Sequence, residues 1–250
     1  MRPFPKFIIL RVLLSFILLT PLLNCSKEDE IVATKDAEVD VVFNSEVTYG
    51  TVSDVDGNKY KTITIGNQTW MAENLRTTRF NDGESIPYVM EDTAWGDLYS
   101  PAFCWYNNDR KSFPISFGAL YNWYAVKTGK LAPKGWHVAT NDDWAAFMDH
   151  VNGGWPYGGG ALKETGTKNW RSPNEGANNE TGFTALPGGW RTISDGFVFM
   201  GISGDWWCIS ATNEKSAGEI MLNYKSPNIY YLFVSEKKKK TGLSVRCVKD

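Results

Sequence analysis

The chain reads as an α+β domain of short twisted antiparallel strands, with two helices and one long irregular loop region. Three observations predict this class. Short β-forming segments are separated by turn residues at both ends of the body, one capped amphipathic helix lies in the middle, and a Gly- and Asn-rich stretch of low periodicity follows that helix.

The first strands flank Asp56-Gly57, a strong hairpin signal between Tyr49 to Val55 and Lys59 to Ile65. Gly66-Asn67 then leads into Gln68 to Met71 as a third strand. Ala119 to Val126 is expected as a short helix with Leu120, Trp123 and Tyr124 on one side. The clearest helix follows. Thr140 caps that helix, Asp142 and Asp143 sit in its first turn where the dipole favours negative charge, and Trp144, Phe147, Met148 and Val151 form its buried face. Asn152-Gly153-Gly154 ends it.

Gly153 to Trp190 is aperiodic, and a loop of that length inside a compact domain is usually functional or disordered. Strands resume at Phe197 to Met200, Trp206 to Ala211, Glu219 to Tyr224, Ile229 to Val234 and Leu243 to Lys249. Lys237 to Lys240 is expected as a solvated, charged hairpin loop.

The beginning of the chain predicts location. Arg2 and Lys6 precede the apolar stretch Phe7 to Leu23, and Cys25 follows, ahead of Ser26-Lys27-Glu28-Asp29-Glu30. This is the layout of a lipoprotein signal in residues 1–24, with Cys25 as the lipidated first residue of the mature chain. Arg11 and Pro21 interrupt the apolar run, which fits a permanent spanning helix less well. Durable anchoring takes more than one acyl chain, as on a di- or triacylated cysteine. Residues 25–48 read as an acidic, flexible tether, and 49–250 as the domain. The acidic run after Cys25 resembles the signal that sends envelope lipoproteins to the cell surface. The expected location is therefore the outer membrane, outward facing.

Removing residues 1–24 takes away Arg2, Lys6 and Arg11, so basic residues fall from 26 to 23 against 28 acids, a mature charge of about −5. No basic patch points to nucleic acid.

Several motifs occur in a specific order: Trp70-Met71-Ala72-Glu73-Asn74-Leu75, Cys104-Trp105-Tyr106-Asn107-Asn108-Asp109, Gly118-Ala119-Leu120-Tyr121-Asn122-Trp123 and Pro133-Lys134-Gly135-Trp136-His137-Val138. Gly182-Phe183-Thr184-Ala185-Leu186-Pro187-Gly188-Gly189 and Ser244-Val245-Arg246-Cys247-Val248-Lys249 complete the series. Together they resemble the Fibrobacter succinogenes major paralogous domain of envelope lipoproteins, from about Tyr49 to Asp250. The resemblance implies a layout similar to the C-type lectin-like and sulfatase-modifying-factor superfamily. In that layout a short strand, Gly135 to Val138 here, leads into a capped helix bearing a tryptophan, Trp144 here, and the last strand, matching Ser244 to Val248, returns beside the first. It implies no reaction. Ala132 and Cys208 depart from the pattern, where relatives tend to have cysteine and serine.

Beyond Cys25 the chain carries Cys104, Cys208 and Cys247. An oxidising envelope permits disulfides, and an odd number leaves one thiol unpaired. The resemblance favours Cys104 with Cys247, since both lie in shared motifs. Cys208 with Cys247 and three free thiols are the alternatives. Cysteine catalysis of the sulfatase-modifying kind needs a lowered thiol pKa, and no such environment is evident.

His137 and His150, the only histidines, are too far apart in sequence for a compact metal motif, and read as structural and solvent-facing. Asn174, Glu175, Asn178, Asn179 and Glu180 offer hard oxygens for calcium, although a polar, turn-rich loop is the favoured explanation of them. Ser172-Pro173-Asn174 lacks the carboxylate of a sugar-binding Glu-Pro-Asn motif, and Trp206-Trp207-Cys208 stands where Trp-Asn-Asp would be. Trp155, Tyr157 and Trp170, with Asn178, Asn179, Glu180 and Arg191, form the candidate ligand-binding set, since rings beside amides are sugar-contact chemistry. Trp190 is read as core. The expected function is non-catalytic recognition of a glycan or surface protein without a required cofactor. The alternatives are a structural subunit of a surface assembly and an enzyme derived from the sulfatase-modifying fold.

Overall fold

The computed structural model describes residues 41–111, 115–209 and 217–250. The signal segment and Cys25 lie outside the described residues.

Among the described residues twelve strands run in chain order: β1 (Gly50–Ser53), β2 (Lys59–Ile65), β3 (Gln68–Met71), β4 (Phe103–Cys104), β5 (Leu120–Tyr121), β6 (Trp136–Val138), β7 (Trp190–Arg191), β8 (Phe197–Val198), β9 (Ser203–Ile209), β10 (Ala217–Asn223), β11 (Ile229–Val234) and β12 (Cys247–Lys249). The helices are α1 (Asp92–Gly96), α2 (Trp123–Val126), α3 (Asn141–Met148) and the helical turn α4 (Gly154–Tyr157). The class is α+β, with antiparallel strands in small sheets. Among the described residues four short helices stand where two were expected.

The main sheet has the order β1-β2-β3-β12-β6, so the last strand lies between the opening hairpin and the strand before α3. Its two faces follow from alternation along each strand. Tyr60, Met71 and Cys247 enter one core cluster, whereas Ile63, Ile65, Trp70 and Val248 enter another. The hairpin turns around Gly57 (φ 82°), as its sequence predicts. Ser53 faces Lys59 across it, and Asp54 Oδ1 closes the loop by accepting from the amides of Asp56 and Asn58, both at 2.9 Å.

Helix α3 has the predicted face: Trp144, Phe147 and Met148 are buried on it, with Val151 just beyond. The Trp70 ring lies 4.8 Å from Trp144 and 5.1 Å from Phe147. Thr140 caps the helix in a full capping box. The Asp143 amide donates to Thr140 Oγ1 at 3.2 Å, and the Thr140 amide donates to Asp143 Oδ2 at 2.7 Å.

Two expected elements differ. Only Trp123–Val126 of the segment from Ala119 is helical. The side chain of Asn122 accepts from the Ala125 amide at 3.0 Å and so sets the helix start, while Leu120 and Tyr121 pair with β4 instead. The lysine run is a tight helical turn, not a solvated loop: Lys239 is buried, and Lys240 Nζ donates to the Gly96 carbonyl at 2.7 Å.

The end of the expected tether is also docked. Val42 N donates to Glu164 Oε1 at 2.7 Å, Asn44 Nδ2 donates to the Asn179 carbonyl at 2.9 Å, and Phe43 packs edge-on against Tyr49.

Candidate binding groove

The second sheet, β11-β10-β9, has two unlike faces set by its register. Cys208, Ile220, Trp206, Leu222 and Tyr231 face or pack against the core under α3. The alternate residues Ser203, Asp205 and Trp207 of β9, Glu219, Met221 and Asn223 of β10, and Leu232 and Val234 of β11 form the floor of a groove of about 670 Å³. Residues 192–195, with Lys238 and Thr241, border it. That volume is in the range of small-ligand sites.

Two carboxyls lie on this floor. Asp205 pairs across the strands with Met221, and Glu219 with Trp207, which puts the acids diagonally on one face. Their side chains are in hydrogen-bond contact, and burial followed by mutual repulsion drives the Asp205 pKa well up. Burial is also the main cause of the rise at Glu219. Asp205 is 1 % exposed, and its Oδ2 meets no hydrogen-bond donor. A hydrogen bond between two carboxyls requires a proton on one of them, so the contact favours a shared proton and holds the pair above the usual carboxylate range.

The rim is aromatic. Phe199 is half exposed, and its ring lies 5.9 Å from that of Trp190, itself partly exposed. Phe199 holds φ at 64°, a left-handed backbone that a bulky residue adopts only at a cost of about 1–3 kcal/mol.

The candidate residues chosen from sequence are not brought together. Trp155 borders a separate apolar hollow of about 320 Å³ with Trp144, Met148 and Tyr231. Tyr157 is exposed nearby on α4 but does not line that hollow. Asn178 and Glu180 are exposed and bond to each other at 3.2 Å. Three choices are corrected by burial. Trp170 is interior, its Nε1 donating to the Ala185 carbonyl at 2.9 Å. Asn179 is spent on Thr184, whose amide donates to its Oδ1 at 2.9 Å. Arg191 is fully buried and clamps the carbonyls of Val89 and Met90 and the carboxylate of Asp92.

The calcium set does not converge either. Asn174 Nδ2 donates to the carbonyls of Glu164 and Gly166. The Glu175 carbonyl accepts from Lys163 Nζ at 2.7 Å, alongside those of Asn223 and Ser226. The ammonium of Lys163, its pKa lowered by burial to about 8, thus fills a ring of carbonyls. No group of three acidic, histidine or cysteine side chains fit for a metal occurs among the described residues.

The expected disulfide is corrected as well: Cys104, Cys208 and Cys247 are all free and buried. Cys104 packs with Trp95, Ala102 and Leu120, whereas Cys208 and Cys247 lie in two other clusters, so no two thiols share one. Burial pushes the Cys104 thiol up to about 12 even with the Arg191 guanidinium near it, and raises the other two as well. Cys208 Sγ donates to Asn141 Oδ1 at 2.6 Å.

Three of the six ordered motifs, those holding Asn74, Phe183 and Arg246, meet in one place. Arg246 Nε donates to Asn74 Oδ1 at 2.7 Å, and its other nitrogens donate to the carbonyls of Met71, Phe183 and Thr184. Trp206 Nε1 donates to the same Asn74 oxygen at 2.9 Å, and Asn74 Nδ2 donates to the Phe117 carbonyl and Ser244 Oγ. A family model described as Fibrobacter succinogenes major domain matches residues 63–249, which span this whole network. The chain belongs to that family. No curated protein and no solved structure matches it. Within the Fibrobacter succinogenes major domain of this chain, the shared motifs build the buried frame. The groove acids Asp205 and Glu219 fall outside those motifs.

Sequence reasoning missed both acids. The available signal was an acid inside an apolar strand pattern, Gly204-Asp205-Trp206-Trp207 and Gly218-Glu219-Ile220-Met221. A charged residue at such a position faces either solvent or a site.

Proposed function

We propose that this chain is a lipid-anchored cell-envelope protein, held at the outer membrane through acylated Cys25 with its domain facing outward, and that the domain is a non-catalytic recognition module for a glycan or surface protein. The observation that carries the recognition reading is the groove over β9–β11, which joins apolar walls, an aromatic rim and two convergent acids. Deep burial of all three described thiols, each with a raised pKa, speaks against a thiolate enzyme of the sulfatase-modifying kind. A C-type lectin-like layout belongs to the same proposal. The return of β12 between β3 and β6 and the strand-to-capped-helix order of β6 and α3 support it.

The test uses full-length protein in detergent on a glycan array and in a pulldown from cell envelopes, beside a Phe199→Asn variant. Asparagine tolerates the left-handed backbone at 199, so the variant is expected to melt at or above the wild-type temperature while its ligand signal falls. A ligand signal unchanged by Phe199→Asn, or no signal above background, rejects the groove as the recognition face.

A scaffold role has one observation in its favour. Strand β11 is at the edge of its sheet and presents Phe233, 85 % exposed, a surface open to strand addition. Stable co-purification with another envelope protein, lost on Phe233→Lys, would support it.

A further inference from the structure

We propose that the groove receives a primary ammonium group on an aliphatic stem, the chemistry of a lysine side chain on a partner polypeptide, and that the ammonium seats on the carboxyls of Asp205 and Glu219. The inference rests on the groove being the recognition face.

The first argument is the state of the acids. Asp205 is interior, lines the groove, and has an Oδ2 with no donor. Among the described residues, none of the ion pairs includes Asp205 or Glu219. Lys238 lines the groove and favours the charged form of Glu219 from a distance, without reaching an ion-pair contact. A buried carboxyl pair without a cation is a cost to the fold that apolar residues of the same size would not impose. An arriving cation relieves it.

The second argument is shape. Met221 and Leu232 beside the acids, with Trp190 and Phe199 above, offer apolar surface to methylenes and ring faces to a cation. Two carboxyls in mutual contact present a cluster of oxygens rather than the single planar edge that a guanidinium fork grips. An ammonium, with three donors around one nitrogen, matches the cluster better. Neutral sugar hydroxyls would supply donors but leave the charge unbalanced.

Seating an ammonium favours the ionised form of both acids, so at a pH where the pair still shares a proton that proton leaves to solvent. The charged and titratable groups facing the pair are Asp205 from β9, Glu219 from β10, and Asp195 and Lys238 from the bordering loops. Strand β11 brings only the apolar Leu232 and Val234. Affinity therefore rises with pH while the pair still holds its proton, and levels off once it is lost.

The experiment is calorimetric titration of full-length protein in detergent with capped Gly-Gly-Lys-Gly-Gly, its Nε-acetylated form and a neutral chitin oligosaccharide. Each is run in two buffers of different ionisation heat. The lysine peptide is expected to saturate with release of about one proton, and the acetylated peptide to bind at least about tenfold more weakly. Glu219→Gln and Asp205→Asn are expected to lose the preference with melting temperature kept or raised. Equal binding of the acetylated peptide, the absence of proton release, or no saturable binding of the lysine peptide overturns the inference, and none of these readouts depends on a variant folding. If the oligosaccharide binds instead and Glu219→Gln weakens it, the ammonium inference falls while the groove remains the recognition face. A ligand indifferent to both groove variants removes both readings.

Discussion

Arg246 concentrates the physics of this domain in one side chain. It is fully buried, donates to four oxygens and stacks over Phe183 at 4.3 Å. Burial lowers its pKa to about 9, which leaves it charged at neutral pH. Its removal would take this donor from the carbonyls of Met71, Phe183 and Thr184, and leave Asn74 Oδ1 with Trp206 Nε1. Arg246→Met is expected to cost about 3–5 kcal/mol in urea denaturation, since a buried network loses its only cation. Arg246→Lys should recover only part of that, because an ammonium cannot reproduce the planar fork. A loss below about 1 kcal/mol for the methionine variant would contradict this account of the motif network.

At the scale of elements, strand β6, helix α3 and the segment after β12 are joined through one histidine. His137 Nε2 lies 3.0 Å from Asp143 Oδ2, and its Nδ1 lies 2.7 Å from Asp250 Oδ1. The hydrogen bond to Asp143, opposed by burial and reinforced by Asp250, raises its pKa from 6.5 to about 9. Burial would raise the Asp143 pKa, but the bonds from His137 and Thr140 leave it lowered. A raised folded pKa stabilises the fold fully below the unfolded value near 6.5, and that contribution is lost as pH rises through about 9. His137 is 39 % exposed on its side chain, so screening holds the contribution to about 1 kcal/mol or less. The melting temperature is expected to decline between pH 6.5 and 9.5, by about 2–4 °C, and His137→Gln should flatten that decline. An unchanged slope in the variant would place the titration elsewhere.

Over the whole molecule, three described thiols lie in three separate core clusters. Native protein is therefore expected to resist a water-soluble thiol reagent and to show no mass change on reduction. Denatured protein should take up three labels if Cys25 is acylated and four if it is free. A two-unit mass gain on reduction would reveal a disulfide and overturn the free-thiol assignment. The same measurement thus reads the core and the anchor together.

Much of the frame was legible in the residues because its causes are local. The Asp56-Gly57 turn, the Thr140 cap and the 3.6-residue spacing from Trp144 to Val151 each act over a few positions, and each appears in the structure. The motif order likewise identified the family. Exposure was not legible: Trp170 and Arg191 read as plausible ligand contacts, yet both are interior, because burial is set by what other segments lay over a residue. The groove was hidden for the same reason. Asp205 and Glu219 are fourteen positions apart, and only the pairing of β9 with β10 sets them on one face. Local chemistry along the chain specified turns, caps and motif frame. Register and cover, which depend on distant strands, specified which side chains meet and which remain open to a ligand.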